Sequence, residues 1–322
     1  MRRAIAIVGP TAAGKSELGR EVARRLGLCV FVCDSVKVYR DLDIGSGKPS
    51  AQLQAEVPHR LIDLVDPDAP FSAGDYANAA LSLMPHVPGV FVGGTGFYLR
   101  QVAWTPSTLR EPTHDDEGDA PTDRVPVDVE ATWREAERTD AGAMWRALDR
   151  IDPTTASQIH PANLVRLVRN LWLCEHFGKP VSQVRAADPP APRLALLLVV
   201  LDPGPEVLVG RIERRVDAML AAGWRTEVEM LRAAGYHAGH KSMQSLGYRQ
   251  MLDLVEGRTD LASARAEIIA ATRRYARRQR TYFRHQFPGA NIHTIASAAA
   301  CPWDAIDTFH SGGAPGAESI DR

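Results

Sequence analysis

Ala4-Ile5-Ala6-Ile7-Val8-Gly9-Pro10-Thr11-Ala12-Ala13-Gly14-Lys15-Ser16 is a short apolar run that stops at a glycine and passes into a complete G-x4-G-K-[ST] loop. Beyond it Leu18, Val22 and Leu26 recur at helical spacing until Gly27, so the segment reads as strand, loop and helix. That context gives the loop its chemistry. The glycines let backbone N–H groups turn inward and the helix start adds positive potential; Lys15 supplies a mobile cation and Ser16 a hydroxyl ligand for Mg²⁺. Gly9, Pro10, Thr11, Ala12, Ala13, Gly14, Lys15 and Ser16 are therefore expected to cradle a diphosphate or triphosphate. The loop does not specify which bond breaks beside that group.

Working outward, Leu28–Cys33, Leu61–Val65, Val90–Val92 and Leu194–Leu201 are unalternated apolar runs separated by helical patterns, one of which opens on a capping-box spacing, Ser72 and Asp75. Such strands point to a parallel sheet covered on both faces, an α/β fold of the P-loop NTPase type with flanking helices and a helical insertion domain. Glu111 to Glu130 holds eight acidic residues, one arginine and three prolines with almost no apolar period, and reads as a loop or disordered boundary. Residues 1–110 are expected to form the first part of the core and 111–190 a helical insertion. Residues 191–295 would return to the core, ending in a basic helix over Ala262–Gln286, and 296–322 would be a loose tail.

The composition of the 322 residues, 45% hydrophobic and 24% charged, excludes a disordered or collagenous chain. With 38 basic against 39 acidic residues there is no global field toward a polyanion, so any such site must come from local clustering. No apolar run approaches the roughly 20 residues that span a bilayer. Cys29, Cys33, Cys174 and Cys301 lack zinc-site spacing and read as reduced thiols of a cytoplasmic protein, and the ten histidines show no metal-ligand spacing. His59 and His160 read as turn histidines.

Asp34-Ser35-Val36-Lys37 follows the second strand, where open parallel sheets bind their ligands. Asp34 suits either metal or proton work there, or simply caps the next turn. Gly93-Gly94-Thr95-Gly96 follows another strand and offers close backbone approach with a hydroxyl at the same edge. Arg211 and Arg215 stand one helical turn apart, facing one polyanion or solvent. In the long helix Arg273, Arg277, Arg280 and Arg284 lie at i, i+4, i+7 and i+11 with Arg274 and Arg278 beside them, a spacing suited to tracking a nucleic-acid backbone.

Together with Asp43-Ile44-Gly45, Val57-Pro58-His59, Asp152-Pro153, Ile159-His160-Pro161, Gly178-Lys179-Pro180, Gln244, Gly247-Tyr248-Arg249 and Arg277-Arg278-Gln279, these segments resemble the bacterial tRNA isopentenyltransferase (tRNA dimethylallyltransferase) family over most of residues 4–286. The resemblance implies transfer of a dimethylallyl group from its diphosphate to N6 of the adenosine 3′-adjacent to the anticodon, in tRNAs that read codons beginning with U. Asp34, Thr95, Lys15 and Arg215 would be catalytic. Asp34 would accept the amine proton, Thr95 would hold Asp34 or the adenine, and Arg211 and Arg215 would close over the diphosphate. The anticodon stem-loop would meet Asp34, Ser35, Val36, Lys37, Thr95, Val165, Arg166, Arg169, Gln244, Arg273, Arg277 and Arg278. Mg²⁺ at Ser16, a monomer and no membrane complete the expectation.

The chain departs from the family at Lys37 and Val165, where glutamines are usual, and at Ala162-Asn163. These departures fall on the tRNA side, and Lys37 exchanges an amide contact for a phosphate contact. Two alternatives remain open: prenylation of free adenine nucleotides, from the same chemistry, and, from a different class, a small-molecule kinase using ATP at the same loop. A third reading is an RNA-binding protein that has lost catalysis.

Overall fold

The structure is a computed structural model describing residues 1–105 and 125–312. Six strands, β1 (Arg2–Val8), β2 (Cys29–Cys33), β3 (His59–Arg60), β4 (Gly89–Gly93), β5 (Leu194–Leu201) and β6 (Asn291–Ile295), form one parallel sheet in the order β3-β2-β4-β1-β5-β6. The apolar runs build its centre, where Ile7, Val90, Phe91, Leu197 and Leu198 are wholly buried. The register aligns the strand ends: Val8 pairs Gly93 and Cys33 also pairs Gly93, so β1, β2 and β4 stop level and deliver three loops to one edge.

Helices α1 (Lys15–Leu26), α2 (Ala51–Glu56), α3 (Ala73–Leu83) and α4 (Gly96–Ala103) flank the first strands. The Ser72–Asp75 capping box starts α3 as its spacing predicts. Tyr76 of α3 stacks on Tyr98 of α4 at 4.5 Å and donates its hydroxyl to Val32 O. Helices α5 (Val127–Thr139), α6 (Ala143–Ile151), α7 (Pro153–Ala156), α8 (Leu164–Phe177) and α9 (Val181–Ala187) come next in the chain. They belong to a compact unit over Trp104–Pro192, distinct from the unit of Met1–Ala103 with the chain from Arg193 onward. The helical unit has its own core of Met144, Leu148, Leu167, Val168, Leu171 and Val181. After β5 come α10 (Pro205–Ala221), α11 (Trp224–Ala233), α12 (Tyr248–Val255), α13 (Leu261–His285) and α14 (Trp303–Ser311).

Three expectations are corrected. Leu61–Val65 is not a strand: β3 stops at Arg60 because Leu61 and Asp63 adopt φ of 64° and 52°. There the Lys48 ammonium pins the bend by reaching Asp63, Asp43 and Tyr39 O. Residues 297–312 are not a loose tail, since α14 packs on β1 with Ile306 wholly buried, and Asp307 pairs with Arg25, whose guanidinium lies over the Trp303 ring; residues 313–322 lie outside the described residues. Of the acidic stretch, Val127–Glu130 already form the first turn of α5; residues 111–124 lie outside the described residues. The four cysteines are free and buried. Among the described residues no helix is long and apolar enough to cross a membrane.

Candidate functional site

The phosphate loop leaves β1 at Gly9 with φ 139°, where a Cβ would stand 2.2 Å from Leu201 O, and enters α1 through Gly14 with φ 105°. Ala12 also takes a left-handed φ of 61°, a conformation a residue with a Cβ adopts only when its surroundings impose it. Gly14 caps α1 with no side chain, so the first-turn N–H groups of the helix face the loop unsatisfied by a cap, which favours an anion there. Lys15 Nζ donates to Pro10 O at 2.6 Å, and Arg211 donates from α10 to Ala13 O at 2.9 Å. Arg215, one turn along α10, donates to Ser46 O at 3.4 Å. The neighbouring loop carries Gly47 at a left-handed φ of 64°, and a Cβ there would stand 2.5 Å from that guanidinium.

Asp34 follows β2. Its Oδ1 accepts the N–H groups of Val36 at 2.9 Å and Lys37 at 3.3 Å, so the carboxylate does cap its own turn, while among the described residues no hydrogen bond engages Oδ2. Capping and proton acceptance thus fall on different oxygens. Thr95, buried after β4, accepts the Ser35 N–H on Oγ1 at 3.1 Å, so it holds the backbone next to Asp34 rather than its carboxylate. The Cys33 thiol donates to Thr95 O, and burial pushes its pKa up to about 12, which keeps it a neutral structural group.

Charge gathers here. Burial drives the Lys15 pKa down to about 7, Arg215 and Lys37 lower it further, and Asp34 opposes them. Lys37 is lowered chiefly by burial, with Asp34 raising it and Arg215, Lys48 and Arg20 lowering it; Arg215 is lowered by burial against the pull of Asp34. Three cations thus share one carboxylate, an arrangement that a polyanionic ligand would relieve. Diphosphate binding favours protonated Lys15, whose free-protein pKa is about 7. Binding should therefore take up a proton and weaken by up to about tenfold per pH unit above that value. Titration calorimetry in two buffers of different ionisation enthalpy checks this, and equal heats in both would contradict it.

One residue escapes a reading of motifs, and another is quoted only as part of a family segment with no role. Glu227 on α11 accepts the N–H groups of Asp43 at 2.9 Å, Ile44 at 2.6 Å and Gly45 at 3.2 Å, and the Tyr248 hydroxyl at 2.8 Å, fixing the loop whose Ser46 carbonyl receives Arg215. Nothing in its spacing signals this. Glu227→Ala leaves those donors without a protein acceptor and is expected to lower stability by about 2–3 kcal/mol. The readout is the thermal midpoint, and an unchanged midpoint would refute the loop-holding role. Gln279 on α13 accepts the Thr11 N–H at 2.8 Å and donates to Gly94 O at 2.8 Å. Its signal is legible: Thr272, Ala276, Gln279 and Phe283 form the buried stripe of α13, where a polar residue requires partners.

The residues expected to meet RNA divide. Asp34, Ser35, Val36, Lys37 and Thr95 gather at the sheet edge with Lys15, Arg211, Arg215 and the phosphate loop. Arg273 instead forms a surface pair with Glu213 on α10, and Arg280 is half-buried against Asp202 after β5, so two arginines of the row hold carboxylates of the fold, while Arg274, Arg277, Arg278 and Arg284 are exposed. Gln244 donates to Ala238 O and lies apart from the phosphate loop's hydrogen bonds. In the helical unit Val165 is 62% exposed and Arg169 7% exposed. His160 bonds within a turn, accepting the Ala162 N–H, whereas His59 is corrected from a turn histidine to the first residue of β3, its Nδ1 bonded to Val57 O.

With this geometry in view, the chain matches the family model for IPP transferase over residues 37–286 and that for isopentenyl transferase over residues 2–61. It is 41% identical to the tRNA dimethylallyltransferase of Syntrophobacter fumaroxidans over 307 residues, covering 91% of this chain and 85% of that protein. To the tRNA dimethylallyltransferase of Gloeobacter violaceus it is 38% identical over 308 residues, covering 93% of this chain and 94% of that one. Its fold is similar to that of the full-length tRNA isopentenylpyrophosphate transferase of Bacillus halodurans, with a TM-score of 0.64 and 32% identity, covering 97% of this chain and 95% of that one. A phosphate loop, a carboxylate edge and matches of this length agree: the chain belongs to the IPP transferase family, the family of the tRNA dimethylallyltransferases.

Proposed function

We propose that this chain transfers a dimethylallyl group from dimethylallyl diphosphate to the exocyclic N6 of the adenosine 3′-adjacent to the anticodon, in tRNAs that read codons beginning with U, and releases diphosphate. The observation that carries the reading is the pairing of a cationic phosphate cradle with one carboxylate whose Oδ2 accepts no described hydrogen bond. The C1–O bond to diphosphate breaks and the N6–C1 bond forms. Lys15, Arg215, Arg211 and the loop N–H groups hold the charge that develops on the leaving oxygen. Asp34 Oδ2 takes the proton that N6 sheds and orients the amine beforehand. Thr95 keeps the Ser35 backbone, and with it the Asp34 turn, at that edge.

The donor set fits Mg²⁺ in a limited way. Ser16 presents its hydroxyl at the start of α1, and among the described residues no cluster of three acidic, histidine or cysteine side chains forms a protein cage. A magnesium ion would be held by Ser16 and by diphosphate oxygens, as Mg²⁺ ordinarily is beside phosphates, and would neutralise leaving-group charge.

The target adenosine reaches this edge by flipping out of the anticodon loop. Exposed Arg277 and Arg278 on α13, the latter over the Tyr275 ring at 5.9 Å, serve the tRNA backbone, and Val165 and Arg166 of the helical unit also face RNA. Arg277→Glu with Arg278→Glu is expected to weaken tRNA binding and to reduce the slope of log affinity against log salt by about two. A filter-binding salt series checks this, and an unchanged slope removes α13 from the interface. The protein would work in the cytoplasm as a monomer.

The reading is tested with purified protein, Mg²⁺ and radiolabelled dimethylallyl diphosphate, offered unmodified tRNA or free AMP, beside a reaction with ATP alone. Label in tRNA supports it. Label in AMP moves the protein to the free-nucleotide chemistry, and ATP consumption without transfer moves it to a kinase.

A further inference from the structure

Gln279 is the one side chain of α13 that hydrogen-bonds both the phosphate loop and the turn after β4, among the described residues. It is 5% exposed. Its Oε1 receives the N–H of Thr11, directly before the left-handed Ala12, and its Nε2 donates to Gly94 O, directly before Thr95. A Cβ at Gly94 would stand 2.3 Å from Nε2, so the glycine leaves room for the amide in this position. Thr95 in turn holds Ser35, the residue after Asp34. One amide therefore ties the backbone that cradles the leaving group to the backbone that carries the proton acceptor.

We propose, resting on the function proposed above, that Gln279 is a positioning residue for the transfer reaction, its amide setting the phosphate loop and the Gly94–Thr95 turn in a single register. An amide is required because the site asks one end of one side chain for an acceptor and a donor together. Glutamate of the same length turns an oxygen toward Gly94 O, and methionine offers neither partner. Because the bond to Gly94 O is buried and the one from Thr11 part-buried, with the side chain itself 5% exposed, a lost partner is not replaced by water at full strength. Arg280, the next residue, anchors the same turn of α13 to Asp202 at 2.7 Å, so the helix itself stays seated when the amide is changed.

The experiment compares wild type with Gln279→Met, Gln279→Glu and, as a packing control on the same buried stripe, Phe283→Leu. For each, the Kd for inorganic diphosphate with Mg²⁺, the Kd for tRNA, kcat, the KM values for both substrates and the thermal midpoint are measured. For both Gln279 variants the diphosphate Kd and the KM for dimethylallyl diphosphate should rise about tenfold or more, with a lower kcat and tRNA affinity within about twofold. Phe283→Leu should lower the midpoint without that selective loss. The proposal is overturned if the Gln279 variants keep wild-type diphosphate affinity and kcat. It is overturned equally if they lose both substrates in parallel, or if Phe283→Leu at a matched midpoint gives the same diphosphate-selective defect. A wild-type protein that neither binds diphosphate nor transfers the prenyl group overturns this proposal together with the function beneath it, whereas an active wild type with indifferent Gln279 variants overturns this proposal alone.

Discussion

Asp34→Asn is expected to lower the rate of dimethylallyl transfer by about 10²–10⁴-fold while leaving tRNA affinity within a few-fold. Asparagine keeps an oxygen for the N–H groups of Val36 and Lys37, so the turn after β2 survives, but it offers N6 no proton acceptor in place of Oδ2. Asp34→Ala removes the cap as well, a further loss of about 1 kcal/mol in stability. Single-turnover rates with the tRNA dissociation constant measured alongside separate the two roles. An asparagine variant with wild-type turnover would make Asp34 a turn cap and nothing more.

The second large effect belongs to Lys15. Lys15→Met removes the cation seated over the loop and is expected to lower kcat/KM for dimethylallyl diphosphate by about 10²–10³-fold. It should also abolish the loss of diphosphate affinity above pH 7. Its consequence for stability runs the other way. In the folded protein the Lys15 pKa is about 7 against an ordinary 10.5, so between those values the unfolded chain binds the extra proton. The penalty from this group is therefore complete below pH 7 and is relieved as pH rises toward 10.5. Lys15→Met should match or exceed the wild-type thermal midpoint at pH 6, trading function for stability. A clear drop in that midpoint, or retained kcat/KM, would contradict the charge-crowded cradle.

Much of the sheet edge is legible in the chain because it is written in consecutive residues. Val8–Gly9, Cys33–Asp34 and Gly93–Gly94 each couple the end of an apolar run to a turn residue, and parallel pairing then sets the three side by side. What escapes is written across distance. The bend at Leu61–Asp63 depends on Lys48, and the pairing of Arg273 and Arg280 depends on Glu213 and Asp202, 60 and 78 residues earlier. Arg169 sits in an amphipathic helix where periodicity alone does not settle on which side of the apolar stripe a long side chain ends. The helix α14 is missed because it is only nine residues long and leads into the glycine-rich Gly312-Gly313-Ala314-Pro315-Gly316, and its docking rests on Ile306 and the Arg25 contacts. Glu227 contributes through backbone N–H groups, which no side-chain pattern announces.

The most direct test of the central claim uses two unmodified transcripts of one tRNA that reads codons beginning with U: the natural sequence, and the same transcript with guanosine replacing the adenosine 3′-adjacent to the anticodon. Each is incubated with the protein, Mg²⁺ and radiolabelled dimethylallyl diphosphate, and then digested to nucleosides. Label is expected in N6-substituted adenosine from the first transcript and none from the second. Equal label in both transcripts, or none in either with active donor present, would contradict the central claim.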